Sequence, residues 1–170
     1  NISGTWTQLG ADIDGEAASD FSGYSVSLSS DGKIVAIGAI WNSNDNGSKS
    51  GHVRVYENIS GTWTQLGADI DGEAADDLSG YSVSLSSDGK IVAIGGPNND
   101  GNGSNSGHVR VYENISGNWT QLGADIDGEA VNDLSGRSVS LSSDGKIVAI
   151  GGPYNDGNGG DSGHVRVYEN

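Results

Sequence analysis

The chain repeats one sequence unit three times: Asn1 to Glu57, Asn58 to Glu113 and Asn114 to Glu169 align end to end, and Asn170 opens a further copy. The second and third units agree at 49 of 56 positions, and the first differs mainly by one extra residue between Gly38 and Gly51. Self-similarity at this period marks a repeat architecture, in which each supersecondary unit buries its apolar face by stacking on a neighbour. The expected division is repeat 1 (1–57), repeat 2 (58–113) and repeat 3 (114–170) of one continuous domain. Any chemistry assigned to one unit has to be accounted for in all three.

Within the second unit, Ser82-Val83-Ser84-Leu85-Ser86 alternates polar and apolar residues with the period of a half-buried strand. Asp88-Gly89 follows, a pair suited to a tight hairpin, and Ile91-Val92-Ala93-Ile94 then reads as a strand covered on both faces. Gly95 to Gly107 is almost wholly Gly, Asn, Ser, Asp and Pro, and is expected to be a surface loop. His108 to Tyr112 alternates again, and Trp119 to Leu122 is rich in β-formers, giving a second hairpin. Nothing has a helical period, and Gly recurs too often for a long helix. Four short strands per unit predict an all-β fold of tandem four-stranded antiparallel blades of β-propeller type. Trp6, Trp63 and Trp119 are expected to pack between sheets, whereas Trp41 sits in a loop of the first unit.

Phe21-Ser22-Gly23-Tyr24-Ser25-Val26 followed by Val35-Ala36-Ile37-Gly38-Ala39 resembles the FG-GAP repeat of integrin α-chain propellers and of many bacterial surface proteins. Leu78-Ser79-Gly80 with Gly95-Gly96-Pro97, and Leu134-Ser135-Gly136 with Gly151-Gly152-Pro153, stand at the same places in the later units. The resemblance implies a β-propeller with extracellular interaction roles. In that family calcium is held in a long acidic loop between the first two strands. Here the connection is the short Ser29-Ser30-Asp31-Gly32-Lys33, whose single carboxylate falls far short of the six to eight oxygens calcium takes.

Composition narrows the partners. With 34% hydrophobic residues, the chain suits thin cores between neighbouring sheets better than one broad core. No stretch approaches the roughly 20 apolar residues of a membrane-spanning helix, and no charged-then-apolar leader opens the sequence, so membrane insertion is not expected. A net charge of -15 repels nucleic acid and anionic membranes and favours cations and cationic surfaces. The absence of Cys excludes disulfides and thiolate metal sites.

The metal candidates are acidic segments: Asp12, Asp14, Glu16 and Asp20, repeated as Asp69, Asp71, Glu73, Asp77 and as Asp125, Asp127, Glu129, Asp133. Oxygens at relative positions 1, 3, 5 and 9 are similar in spacing to a calcium loop, although Ala17, Ala74 or Ala130 occupies the position where such a loop needs Gly. The alternative is a solvated connection whose carboxylates cap turns. No other cofactor is expected. The Asx-rich loop with Asn98, Asp100 and Asn102 offers a weaker set. One His per unit (His52, His108, His164) opens a strand and reads as a hydrogen-bonded structural residue, and Arg54, Arg110 and Arg166 are placed to bridge to an acidic loop. Triplets at Asn1, Asn46, Asn58, Asn102, Asn114 and Asn118 have the form of glycan acceptors. Near-identical triplication offers no differentiated pocket, so the chain is not expected to be an enzyme.

Thr5 to Leu9 belongs with the last strand of a blade, and its hairpin partner would precede Asn1; His164 to Tyr168 lacks the strand that should follow. Propellers close with about four to eight blades, so three units call for completion from elsewhere. Ring-closing oligomers, a head-to-tail filament and a longer array of which this is a segment all answer that need. The functional expectation is a non-enzymatic extracellular repeat for structure, adhesion or self-assembly at a microbial surface. The alternative is a multivalent module binding calcium or a glycan once per repeat; as partner, a protein or a glycan is the candidate ligand.

Overall fold

The computed structural model describes residues 4–170; the start of the first unit and the acceptor triplet at Asn1 lie outside the described residues. Strand-forming segments and hairpin turns fall out as three antiparallel sheets, with no helix among the described residues. Sheet 1 holds β1 (Ser22–Leu28), β2 (Ile34–Ala39), β3 (His52–Ile59), β4 (Thr62–Gln65) and β5 (Ile70–Asp71). Sheet 2 repeats it as β6 (Ser82–Leu85), β7 (Ile91–Gly96), β8 (His108–Ile115), β9 (Asn118–Gln121) and β10 (Ile126–Asp127). Sheet 3 has β11 (Ser138–Leu141), β12 (Ile147–Gly152) and β13 (His164–Glu169).

β4 and β5 lie on the same edge of β3. Tyr56 to Ile59 face Gln65 to Thr62, while His52 and Val53 face Asp71 and Ile70. Together they make one interrupted fourth strand, so each full blade is four strands wide and draws its last strand from the following sequence unit. The tight turn is built by the side chain the sequence puts there: Ser29 Oγ donates to Asp31, and Asp31 accepts the Lys33 amide at 3.0 Å. The same bonds recur at Asp88 and Asp144.

The sheets stack face to face, β6 against β1 and β2, and β11 against β6 and β7. Alternation along the strands decides what each face buries. Ala36, Val53, Val55 and Ile70 of sheet 1 meet Leu85, Val92, Ile94 and Tyr112 of sheet 2. Ala93 and Val109 of sheet 2 meet Val148 and Ile150 of sheet 3. The contact is so close near Gly95 that a Cβ there would lie 2.0 Å from the Gly136 carbonyl oxygen. Only Gly fits that approach.

Two expectations are corrected. The Gly95 to Gly107 loop does not lie wholly at the surface. Asn99 and Ser106 are buried, because Asn99 Nδ2 donates to Asp77 Oδ2 at 3.0 Å and Ser106 Oγ to the Asn99 carbonyl at 3.3 Å, so internal partners replace water. Nor do the three repeated tryptophans share one role. Trp63 and Trp119 pack on the cores and donate their indole N–H to the carbonyls of Leu9 and Leu66, whereas Trp6 is 90% exposed because no β3-like strand lies beside it among the described residues.

Candidate functional site

The junction between successive blades gathers the chain's buried polar chemistry. β3 and β8 begin with His52 and His108, both buried, and two residues on place Arg54 and Arg110 on the same strands. The acidic segment of the same unit brings Glu16 or Glu73 over them. The residue just before the short strand of the next unit is Asp69 or Asp125, which completes the group. His108 Nδ1 lies 3.7 Å from Glu73 Oε2 and 3.5 Å from Asp125 Oδ2; His52 Nδ1 lies 3.8 Å from Glu16 Oε2 and 3.5 Å from Asp69 Oδ2.

Each carboxylate has its second oxygen held. Glu73 Oε1 faces Arg110 Nη1 at 3.4 Å, and Asp125 Oδ1 accepts from Gln121 Nε2 at 2.7 Å; Glu16 with Arg54 (3.6 Å) and Asp69 with Gln65 (2.6 Å) repeat the pattern. The arginine is fixed in turn, donating from Nη2 to a backbone carbonyl, Asp14 for Arg54 and Asp71 for Arg110, and lying over Tyr56 or Tyr112. Burial holds the His108 imidazole below its ordinary pKa, the Arg110 guanidinium acts the same way, and Asp125, Asp77 and Asp127 oppose them. Burial also lowers His52, against Asp69 and Glu16. Burial raises Glu73, Arg110 pulls it back, and the neighbouring Asp125 carboxylate adds to the rise.

Among the described residues, the groups of three or more His, Asp or Glu donor atoms lying within 4.8 Å of one another are Glu16–His52–Asp69 and Glu73–His108–Asp125. The other acidic candidates take different places. Asp20, Asp77 and Asp133 are buried, each accepting from an asparagine amide (Asn42, Asn99, Asn155) and from the backbone N–H three residues before it. Asp12 accepts from Gln8 at 2.8 Å. Asp14, Asp71 and Asp127 serve through their carbonyls as arginine acceptors, Asp127 for Arg166. Asp71 also accepts from Asn44 Nδ2 at 2.9 Å. In the third unit Glu129 Oε2 lies 3.5 Å from His164 Nδ1 and Glu129 Oε1 3.8 Å from Arg166. From sequence the histidines read as hydrogen-bonded structural residues. The ligand-like neighbours are carboxylates, one from each of two consecutive units.

Residues 11–56 match the family model described as FG-GAP repeat. Among curated proteins none matches the sequence. Among solved structures the chain is similar to a Bacteroides uniformis protein named as a 6-phosphogluconolactonase, at 17% identity and TM-score 0.52 over 85% of this chain and 35% of that one. It is likewise similar to the periplasmic gluconolactonase PpgL of Pseudomonas aeruginosa (17%, TM-score 0.54, 85% and 38%) and to Kuenenia stuttgartiensis hydrazine synthase (17%, TM-score 0.50, 85% and 44%). The chain thus spans between 35% and 44% of the length of these three structures.

These likenesses correct the expectation that the chain is not an enzyme, because two proteins of the same fold are named as lactonases. The argument from triplication fails for a physical reason. Identical sequence does not give identical surroundings: His108 is sealed between blades, while the His164 side chain is 19% exposed. At this identity the likeness establishes the fold. The chain is thus built of tandem antiparallel β blades of propeller type, and one stretch of it, residues 11–56, matches the FG-GAP repeat model.

Proposed function

We propose that the chain is an assembly module outside the cytoplasm, whose blades are completed by another copy of the same unit. The observation that carries this reading is a matched pair of open features. β13 has β12 on one edge and no strand on the other among the described residues, and its Val165 and Val167 are 67% and 65% exposed. At the opposite end, Thr5 to Gln8 has the sequence of β4 yet pairs with no strand among the described residues, and Leu9 is exposed. Val26 and Leu28 of β1 are exposed too, although their counterparts Val83 and Leu85 pack on the preceding sheet.

The inner junctions supply the template for the fit. Thr5 to Gln8 would lie on β13 as β4 lies on β3, and the Val26–Leu28 face would cover Val165 and Val167. Such a heterologous contact closes a ring or propagates as a filament according to its rotation. The FG-GAP match and the periplasmic neighbour support a place outside the cytoplasm. Sedimentation velocity across a concentration series tests the reading. The wild type is expected to assemble in steps of one chain mass, and the Val165→Lys/Val167→Lys variant to remain monomeric. A monomer at every concentration would refute it.

A further inference from the structure

We infer that the two inner blade junctions are binding sites for a divalent transition ion of the zinc class, ligated by Glu16, His52 and Asp69 in one and by Glu73, His108 and Asp125 in the other. The His108 side chain is 1% exposed, and its Nδ1 has no hydrogen-bond partner. That atom is aimed at two carboxylate oxygens, yet 3.5 and 3.7 Å is too long for a hydrogen bond to either. A buried polar atom without a partner is costly, and two carboxylates facing each other beside it add repulsion. A cation between the three relieves both.

The spacing suits one. Donors about 2.0–2.2 Å from a tetrahedral zinc stand about 3.3–3.6 Å apart, and the histidine nitrogen lies 3.5 to 3.8 Å from each facing carboxylate oxygen at the two junctions. The carboxylate oxygens that face the histidine are those left over after Gln65 or Gln121 and Arg54 or Arg110 have engaged the others, the kind of outer support that orients metal ligands. An imidazole nitrogen with two carboxylate oxygens matches zinc and its neighbours, whereas calcium asks for six to eight oxygens. Access is open on the carboxylate side, with the Glu73 side chain 42% and that of Asp125 27% exposed. The arginine beside each site offsets one negative charge, leaving the cluster net anionic without the ion.

The third junction carries Glu129 and His164 but no aspartate in that place among the described residues. Asp12, the counterpart of Asp69 and Asp125, is already oriented by Gln8. A second copy docked on β13 would bring its Asp12 to His164 and complete a third site; this clause alone rests on the assembly reading.

Calorimetric titration of the full chain with zinc chloride, with cobalt absorption spectra in parallel, tests the inference. Two equivalents are expected on the monomer and three on assembled chains. Asp125→Asn is expected to remove one equivalent, and Asp69→Asn/Asp125→Asn both inner ones, with circular dichroism unchanged; the exposed Glu73→Gln variant gives an independent check on the same site. An equal concentration of calcium is expected not to displace the ion. Absence of saturable zinc binding, or a stoichiometry unaltered by these substitutions, would overturn the inference. Two equivalents on a chain that never assembles would uphold the inner sites and reject the assembly reading.

Discussion

Sheets 2 and 3 carry almost the same sequence in different surroundings. Val109 in β8 is fully buried beneath sheet 3, while Val165 at the same place in β13 is 67% exposed. Gly95 meets the Gly136 carbonyl of the next blade, while at Gly151 a Cβ would meet nothing closer than the Ser138 side chain of its own sheet. Burial in a stacked fold is therefore a property of the junction and not of the unit. The same residues are core when a neighbour is present and exposed apolar surface when it is not.

Substitution pairs put numbers on that difference. Gly95→Ala forces a methyl against backbone that cannot yield, and is expected to cost on the order of 3 kcal/mol; Gly151→Ala, facing a hydroxyl that can rotate, about 1 kcal/mol. Urea denaturation at low chain concentration measures both, and equal costs would erase the distinction between inner and open junctions.

Val109→Ala removes packed methyls and leaves a cavity, for about 2 kcal/mol, whereas Val165→Ala is expected to cost under about 0.5 kcal/mol. Repeating the pair at high concentration sharpens the test, because assembly would bury Val165 and raise its cost toward that of Val109.

The smallest effect falls where the environments agree. Asp31, Asp88 and Asp144 sit in the same hairpin turn. The Lys90 backbone amide followed by the Ser86 hydroxyl lowers the Asp88 carboxyl, Lys33 and then Ser29 lower Asp31 in the same way, and Ser142 and then Lys146 lower Asp144. A carboxyl whose folded pKa is depressed stabilises the fold above its unfolded pKa, and that contribution fades as pH falls through the folded value. Stability is thus expected to decline below about pH 4, and Asp31→Asn, Asp88→Asn and Asp144→Asn to flatten the decline by similar amounts. A much larger change at one turn than at the others would show that the turns, too, depend on their junction.

Much of the fold was legible because its causes are local. Alternation in Ser82 to Leu85, the Asp88-Gly89 turn and the apolar run from Ile91 to Ile94 each specify their element without distant help. The two-residue strands Ile70–Asp71 and Ile126–Asp127 were not legible, since they sit inside an acidic stretch with no strand period and pair only because β3 and β8 offer an edge. The junction site was hidden for a related reason. Its Glu and His come from one unit and its Asp from the next, and three near-identical units leave no mark of which copy meets which. Asn99 shows the converse, a loop residue by composition that is buried because Asp77 answers its amide.

If one copy completes another, it does so in the register already used inside the chain. Glu57 faces Thr64 and Asn58 faces Trp63 across β3 and β4, so Glu169 of one molecule should face Thr7 of another. The chain has no cysteine, so a Thr7→Cys chain mixed with a Glu169→Cys chain under mild oxidation reports that pairing directly. The account predicts a disulfide-linked dimer of the two variants, formed faster than with cysteine moved to Gln8. Chains that stay unlinked, or a chain carrying both substitutions that links only to itself, would contradict it.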